Sequence, residues 1–277
     1  MMNQIRAELL KLKYSNVLTM LLVLFGMGLA LYTVFGISDG GTQVFISEGN
    51  EERNPAVQGI IGFLAFTFKN IKYPQFNEIV KSVMSCNVFL WVFMLIFVVC
   101  FFNYDYNMGT IKLPVAYGIS RNMIFLAKVI VIVLCFGILY ILFSAITLLY
   151  TCIKVNYIPG MGEIFTYIGY TMLNYIVMVS FSMICIFVSI CLKNTGIIAT
   201  VICLFTLAGA IIYTGTWQQF HSTPLQYIIR LTPLYYWMNM GTLRLGYGII
   251  HEILIYFCFG IFLIPVSAVL INRQELK

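Results

Sequence analysis

Between Asn103 and Lys128 the chain reads NYDYNMGTIKLPVAYGISRNMIFLAK, a polar passage set between two long apolar runs. Asp105 offers a carboxylate, Thr110 and Ser120 hydroxyls, and Lys112, Arg121 and Lys128 cations, with Gly109 free to take a positive φ. Such a set suits ion pairs and charge-assisted hydrogen bonds to a docked partner, and it is more than a passive turn requires. The local pattern is specific. Asp105 should end one helix, Asn107 to Thr110 should turn, and Lys112 to Tyr117, with Pro114 inside it, should form a short interfacial helix or turn. Ser120 should cap the next helix, Arg121–Lys128, which runs into the following apolar run, its side chain accepting a bond from an early backbone N–H. The plainer alternative is an ordinary basic loop with a good helix cap.

Chemistry of other kinds finds no footing in the sequence. There is no Gly-Lys dipeptide, so no P-loop can form. His251-Glu252 is followed by Ile255 where a zincin helix needs its second histidine. Glu51-Glu52-Arg53 lacks the helical spacing that would put two carboxylates and a base at one depth. No apolar run holds a cluster of ionisable groups, which leaves a proton relay or a charged channel ring little to work with. The eight cysteines form no C-x-x-C and fall mostly within apolar runs, so they read as small buried hydrophobes.

The elements that would position the polar passage are membrane spans. The chain is 61% hydrophobic and 9% charged, against about 25% charged in a soluble domain. About 20 apolar residues cross the hydrocarbon of a bilayer. Val17–Gly36, Val83–Phe102, Val129–Thr151, Thr166–Leu192, Gly196–Gly215 and Ile253–Ile271 meet that length, giving six spans in a single transmembrane domain over 1–277. The first run is longer than a signal-peptide core, and Phe35 to Ser38 offers no A-x-A-like cleavage site, so it reads as a span. Six spans put both termini on one side. Arg6, Lys11, Lys13, Lys112, Arg121, Lys128, Lys193, Arg273 and Lys277 crowd that side, and the denser side should be cytoplasmic. The formal charge of +6 fits attraction to anionic headgroups, with no soluble basic domain to hold nucleic acid.

Three further stretches have their own logic. Met2, Ile5, Leu9 and Leu12 fall on one helical face, with Arg6, Glu8, Lys11 and Lys13 on others, as in a basic amphipathic helix lying in the membrane interface. The segment Ile37–Ser82 lies outside on this topology. Its apolar stretch between Pro55 and Lys69 is too short to span and suits an interfacial or re-entrant helix. Thr216–His251 carries Pro224, Pro233 and a crowd of tyrosines, and suits one or two short re-entrant or interfacial helices. Ser85, Asn87, Asn174, Ser180, Ser182, Ser189, Thr200 and Thr206 are polar residues within the spans. They would either line a pathway or bond neighbouring helices, the second being the commoner use.

The order Asp105-x3-Gly109-Thr110-x-Lys112, then Ser120-Arg121 and Lys128, resembles the loop between spans two and three of ABC-2-type transporter permeases, which usually reads E-x-x-x-G-T, then S-R, then a lysine. The likeness extends to the basic N-terminal helix, the six spans and the Pro-rich outer segment before the last. Here Asp105 stands where glutamate is commoner. The resemblance implies an all-α integral membrane fold with an N-terminal elbow helix, a cytoplasmic coupling helix between spans two and three, and re-entrant helices before span six. It implies an ATPase interface at Asp105, Gly109, Thr110, Lys112, Arg121 and Lys128. It implies two permease copies, or one and a sister permease, working with a separate cytoplasmic ATPase that holds the ATP and Mg, in a bacterial plasma membrane. The chain itself would bind no cofactor and be no enzyme. The expected cargo is an amphipathic peptide such as a toxin or antimicrobial peptide, with lipids, lipid-linked glycans or drugs as alternatives. A membrane scaffold or receptor that works without an ATPase is the rival of a different class.

Overall fold

The computed structural model describes residues 1–35, 74–85, 87–107, 112–192, 194–204, 236 and 247–273. Every regular element among them is a helix: α1 (Met2–Tyr14), α2 (Asn16–Phe35), α3 (Phe76–Ser85), α4 (Asn87–Asn107), α5 (Lys112–Ala116), α6 (Arg121–Val155), α7 (Met161–Leu192), α8 (Thr195–Leu204) and α9 (Tyr247–Arg273). Among the described residues α2, α6, α7 and α9 are long and apolar enough to cross a membrane, and α4 carries a shorter apolar stretch, Leu90–Tyr104. The expected span Gly196–Gly215 is described only as far as Leu204. The stretch after Pro55, and nearly all of 205–246, lie outside the described residues.

Several boundaries differ from those read in the sequence. The expected third span, Val129–Thr151, is the middle of a 35-residue helix. At 1.5 Å per residue α6 rises about 52 Å, so it overruns a hydrocarbon layer of about 30 Å by several turns. The end of the supposed outer loop folds as α3. Phe76, Ile79, Val80 and Val83 recur at helical spacing and are buried, Ile79 against Cys152 and Val155 of α6. α4 accordingly starts at Asn87 and not at Val83. α9 starts at Tyr247, so Gly248 to His251, read as irregular, are helical. It also carries Pro265 within the helix.

α7 sits at the centre. In its apolar window 61% of residues are buried, against 28% for α2 and α9. Its most extensive partner is α9, whose buried face is Ile253, Tyr256, Gly260, Leu263, Ser267 and Ile271, a 3-4-3-4 stripe. A methyl group on Gly260 would lie 3.0 Å from the Ser180 backbone, so the two helices approach closely through small residues. Aromatic packing fills the neighbouring space. The Phe25 ring of α2 meets Phe93 of α4 and Phe136 and Phe143 of α6 at centroid distances near 6 Å.

Toward the end of α6, hydroxyl hydrogen bonds join the ring contacts. The Tyr32 hydroxyl of α2 bonds Thr151 of α6 and lies 3.4 Å from the Ser82 hydroxyl of α3. Tyr167 of α7 donates to the Ser144 carbonyl at 2.8 Å. In the turn to α7, Asn156 takes the left-handed conformation at the α6 C-terminus. The Tyr157 hydroxyl donates to Glu163 at 2.8 Å, and this bond, more than burial, pushes the phenol above its ordinary pKa.

Most of the described polar residues of the spans bond within their own helix, and Asn174 bonds across to α3. Ser180, Ser182, Ser189 and Thr200 each donate to a carbonyl three or four residues back in their own helix. Asn174 donates to the Met84 sulfur at 2.9 Å. The side chains of Ser85, Asn87 and Thr206 lie outside the described residues. The seven described cysteines are free thiols.

Candidate coupling interface

The connection from α4 to α6 is built from a short helix with a defined end. Pro114 is the third residue of α5, where the missing N–H is one that a first helical turn leaves unpaired anyway. Gly118 follows with φ +80°, its N–H donating to the Val115 carbonyl at 3.0 Å, while Ile119 donates to Pro114 at 3.1 Å. This pair of bonds closes a helix C-terminus through a left-handed residue, and glycine adopts that backbone without strain. Of the short helix or turn expected over Lys112 to Tyr117, Lys112–Ala116 is helix and Tyr117 opens the turn after it. Tyr117, at its tip, is 84% exposed.

Ser120 occupies the position before α6 as expected, but its side chain makes no capping bond. Its backbone carbonyl instead accepts from Met123 at 3.0 Å and Ile124 at 3.3 Å. The helix starts there because extended backbone at Ser120 turns into a run of good helix formers, and the hydroxyl stays exposed.

Arg121 and Lys128 stand two turns apart on α6, and both point inward to other elements. The Arg121 guanidinium donates to the carbonyls of Ile271 and Asn272 at 3.4 and 3.5 Å, in the last turn of α9. A cation there meets the negative end of the helix dipole and the carbonyls that no further turn satisfies. Lys128 is 3% exposed. Its ammonium lies 3.4 Å from the Phe101 carbonyl and 3.5 Å from that of Phe102, both on α4, and 5.2 Å from the Phe101 ring centroid. Glu8 of α1 lies 3.8 Å away. Lys128 thus belongs to the interior of this end of the molecule.

The remaining candidates divide. Asp105 lies in the last turn of α4 and Lys112 opens α5, and their side chains lie outside the described residues, as do Gly109 and Thr110 altogether. On α1, Arg6 and Lys13 are exposed, and the Lys13 ammonium sits 5.8 Å from the Tyr14 ring centroid. Lys11 turns inward and pairs with Glu8 at 2.8 Å.

α1 corrects the helical face read in the sequence. Ile5 and Leu12 do face the bundle, but Met2 and Leu9 are 69% and 39% exposed. The third inward residue is Glu8, 1% exposed. Sequence reasoning placed Glu8 outward with the cations. The available signal was its position on the stripe Ile5, Glu8, Leu12, with Lys11 one turn on to share its charge. After α1 the chain leaves the helix at Ser15 in extended backbone, its hydroxyl donating to Leu12 at 2.9 Å, and α2 starts at the next residue.

α1, the end of α9 and the α4–α6 connection therefore converge on the first turns of α6, with the N-terminus and the described C-terminal end on one side of the bundle. Chemically, this convergence offers a charge-tied start to α6, preceded in the chain by a short helix that ends at the exposed Tyr117. No family model matches the chain, and no curated protein matches it in sequence.

Proposed function

We propose that this chain is the membrane-spanning subunit of an ATP-driven exporter of the ABC-2 type. Two copies, or one copy and a sister permease, would surround a pathway of six spans each, with a separate cytoplasmic ATPase docked beneath α5. α1 is then the elbow helix, both termini are cytoplasmic, and the membrane is a bacterial plasma membrane. ATP binding closes the ATPase pair, pushes α5, and shifts the helices between two packed arrangements. The cargo is an amphipathic peptide, a class that suits the apolar, aromatic-rich spans.

One observation carries the reading. A five-residue helix closed by Gly118 feeds directly into α6, whose first turns are tied to α9 by Arg121 and to α4 by Lys128. A push on α5 would have a route through the first turns of α6 into α1, α4 and α9.

The test is purification of the tagged chain from its native membranes in mild detergent, with identification of what accompanies it. A nucleotide-binding subunit in roughly equal amount is the expected result. A chain that purifies alone, even after gentle cross-linking, would favour the scaffold reading.

A further inference from the structure

We infer that the cavity between the first turns of α3 and α7 binds the primary ammonium headgroup of a phospholipid, with an acyl chain lying along the outer face of α7. The inference rests on the chain's spanning a membrane and does not require the export reading. The cavity has a volume of about 260 Å³ and is lined by Gln75, Phe76, Asn77, Gly162, Glu163 and Thr166. That is less than the roughly 300–1,000 Å³ of a site for a drug-sized molecule, so it suits a headgroup and not a cargo. Its depth follows from α6. Large apolar side chains stand exposed on that helix from Leu134 to Ile153, a stretch of about 20 residues that matches the hydrocarbon of a bilayer. The turn to α7 comes directly after, and Glu163 bonds to Tyr157 and Gly160 within it, so the cavity stands at headgroup level.

The lining selects the chemistry of the headgroup. Glu163 is its one charged residue. The Tyr157 hydroxyl and the Gly160 N–H each donate to one of its carboxylate oxygens at 2.8 Å and hold it in place. The Thr166 hydroxyl donates to the Gly162 carbonyl at 2.9 Å, which leaves its oxygen lone pairs for other donors. Gln75 and Asn77 contribute carboxamide oxygens, and Phe76 contributes a ring stacked on Tyr157. A carboxylate, neutral acceptors and an aromatic ring together suit a group that is positive and rich in N–H. A primary ammonium is such a group. A choline carries the charge without the N–H, and a headgroup with phosphate and no amine meets Glu163 as a like charge. The path for the acyl chain adjoins the cavity. Gly162, Thr166 and Gly169 are exposed at 4-3 spacing, and a Cβ added at either glycine would meet nothing within 4 Å. They make a shallow groove that leaves the cavity along α7, with Phe165 and Met172, 71% and 50% exposed, as its wall.

The experiment is native mass spectrometry of the full chain in mild detergent, titrated with short-chain phosphatidylethanolamine, its N,N-dimethyl derivative, phosphatidylcholine and phosphatidylglycerol. Apparent affinity should fall from the ethanolamine lipid through the dimethyl derivative to the choline lipid, by roughly tenfold in all. Phosphatidylglycerol should bind no better than phosphatidylcholine. Glu163→Gln should abolish the preference for ethanolamine. Because Glu163 also caps α7, Gly162→Leu serves as the second variant. It fills the cavity from a position where an added Cβ meets no neighbour, and it leaves the carboxylate in place. That variant too should bind the ethanolamine and choline lipids alike. Equal binding of the two by the unsubstituted chain, or tighter binding of phosphatidylglycerol, would overturn the site. So would a preference that survives Gly162→Leu.

Discussion

Arg121 changes meaning between sequence and structure. As a cation in a polar passage it reads as a contact for a partner, and in the fold it caps α9 by donating to the Ile271 and Asn272 carbonyls. Both bonds are long and partly exposed, so Arg121→Ala should lower stability by only about 1 kcal/mol, with α9 freed at its last turn. Thermal unfolding in detergent, compared with hydrogen exchange at Asn272 and Arg273, would check it. Exchange that accelerates across the whole of α9 would show a larger role than capping. Lys128 and Glu8 tell the same story from the other side. A lone charge in an apolar stripe is easily read as solvent-facing, because the sequence of α1 alone does not contain Lys128 of α6, beside which Glu8 is buried. That burial separation is long-range information.

At the scale of elements, α2 and α7 were legible because each is an apolar run of at least spanning length, and α9 because its run needed only six more residues at one end. α3 was not, since Glu78 and Ser82 interrupt its apolar spacing and both turn out to be buried against neighbours that only the fold supplies. The start of α6 was legible, because Arg121–Lys128 already reads as a helix running into the third span; its last residues, Cys152 to Val155, were not, since Lys154 ends an apolar run without ending a helix. The short α5 was readable because Pro114 and Gly118 act through backbone geometry, which is local. The Ser120 cap was misread because a favourable residue at the N-cap position need not use its side chain when solvent can satisfy the first amides. Packing of α7 on α9 gives a prediction at this scale. Gly260→Val would drive a branched side chain into the Ser180 backbone, forcing the helices apart at a cost of about 1–3 kcal/mol, whereas a change at Gly26, which has nothing within 4 Å, should be nearly silent. Melting temperatures of the two variants in the same detergent decide this. Equal values would mean that α7 and α9 do not cross as described.

The whole molecule has two unlike ends. At one, hydroxyl groups of Tyr32, Ser82 and Thr151 join α2, α3 and α6. At the other, Arg121 and Lys128 tie α9, α4 and α1 to the first turns of α6, shortly after the exposed Tyr117 at the end of α5. Export by a separate ATPase requires the second end to be the docking side. A photo-cross-linker placed at Tyr117, at the tip of α5, and separately at Ile158, beyond the far end of α6, tests that requirement in native membranes. Both positions are strongly exposed, at 84% and 92%, so accessibility does not distinguish them. The account predicts a cross-link from Tyr117 to a nucleotide-binding subunit and none from Ile158. A nucleotide-binding subunit captured from Ile158, or from neither position, would contradict it.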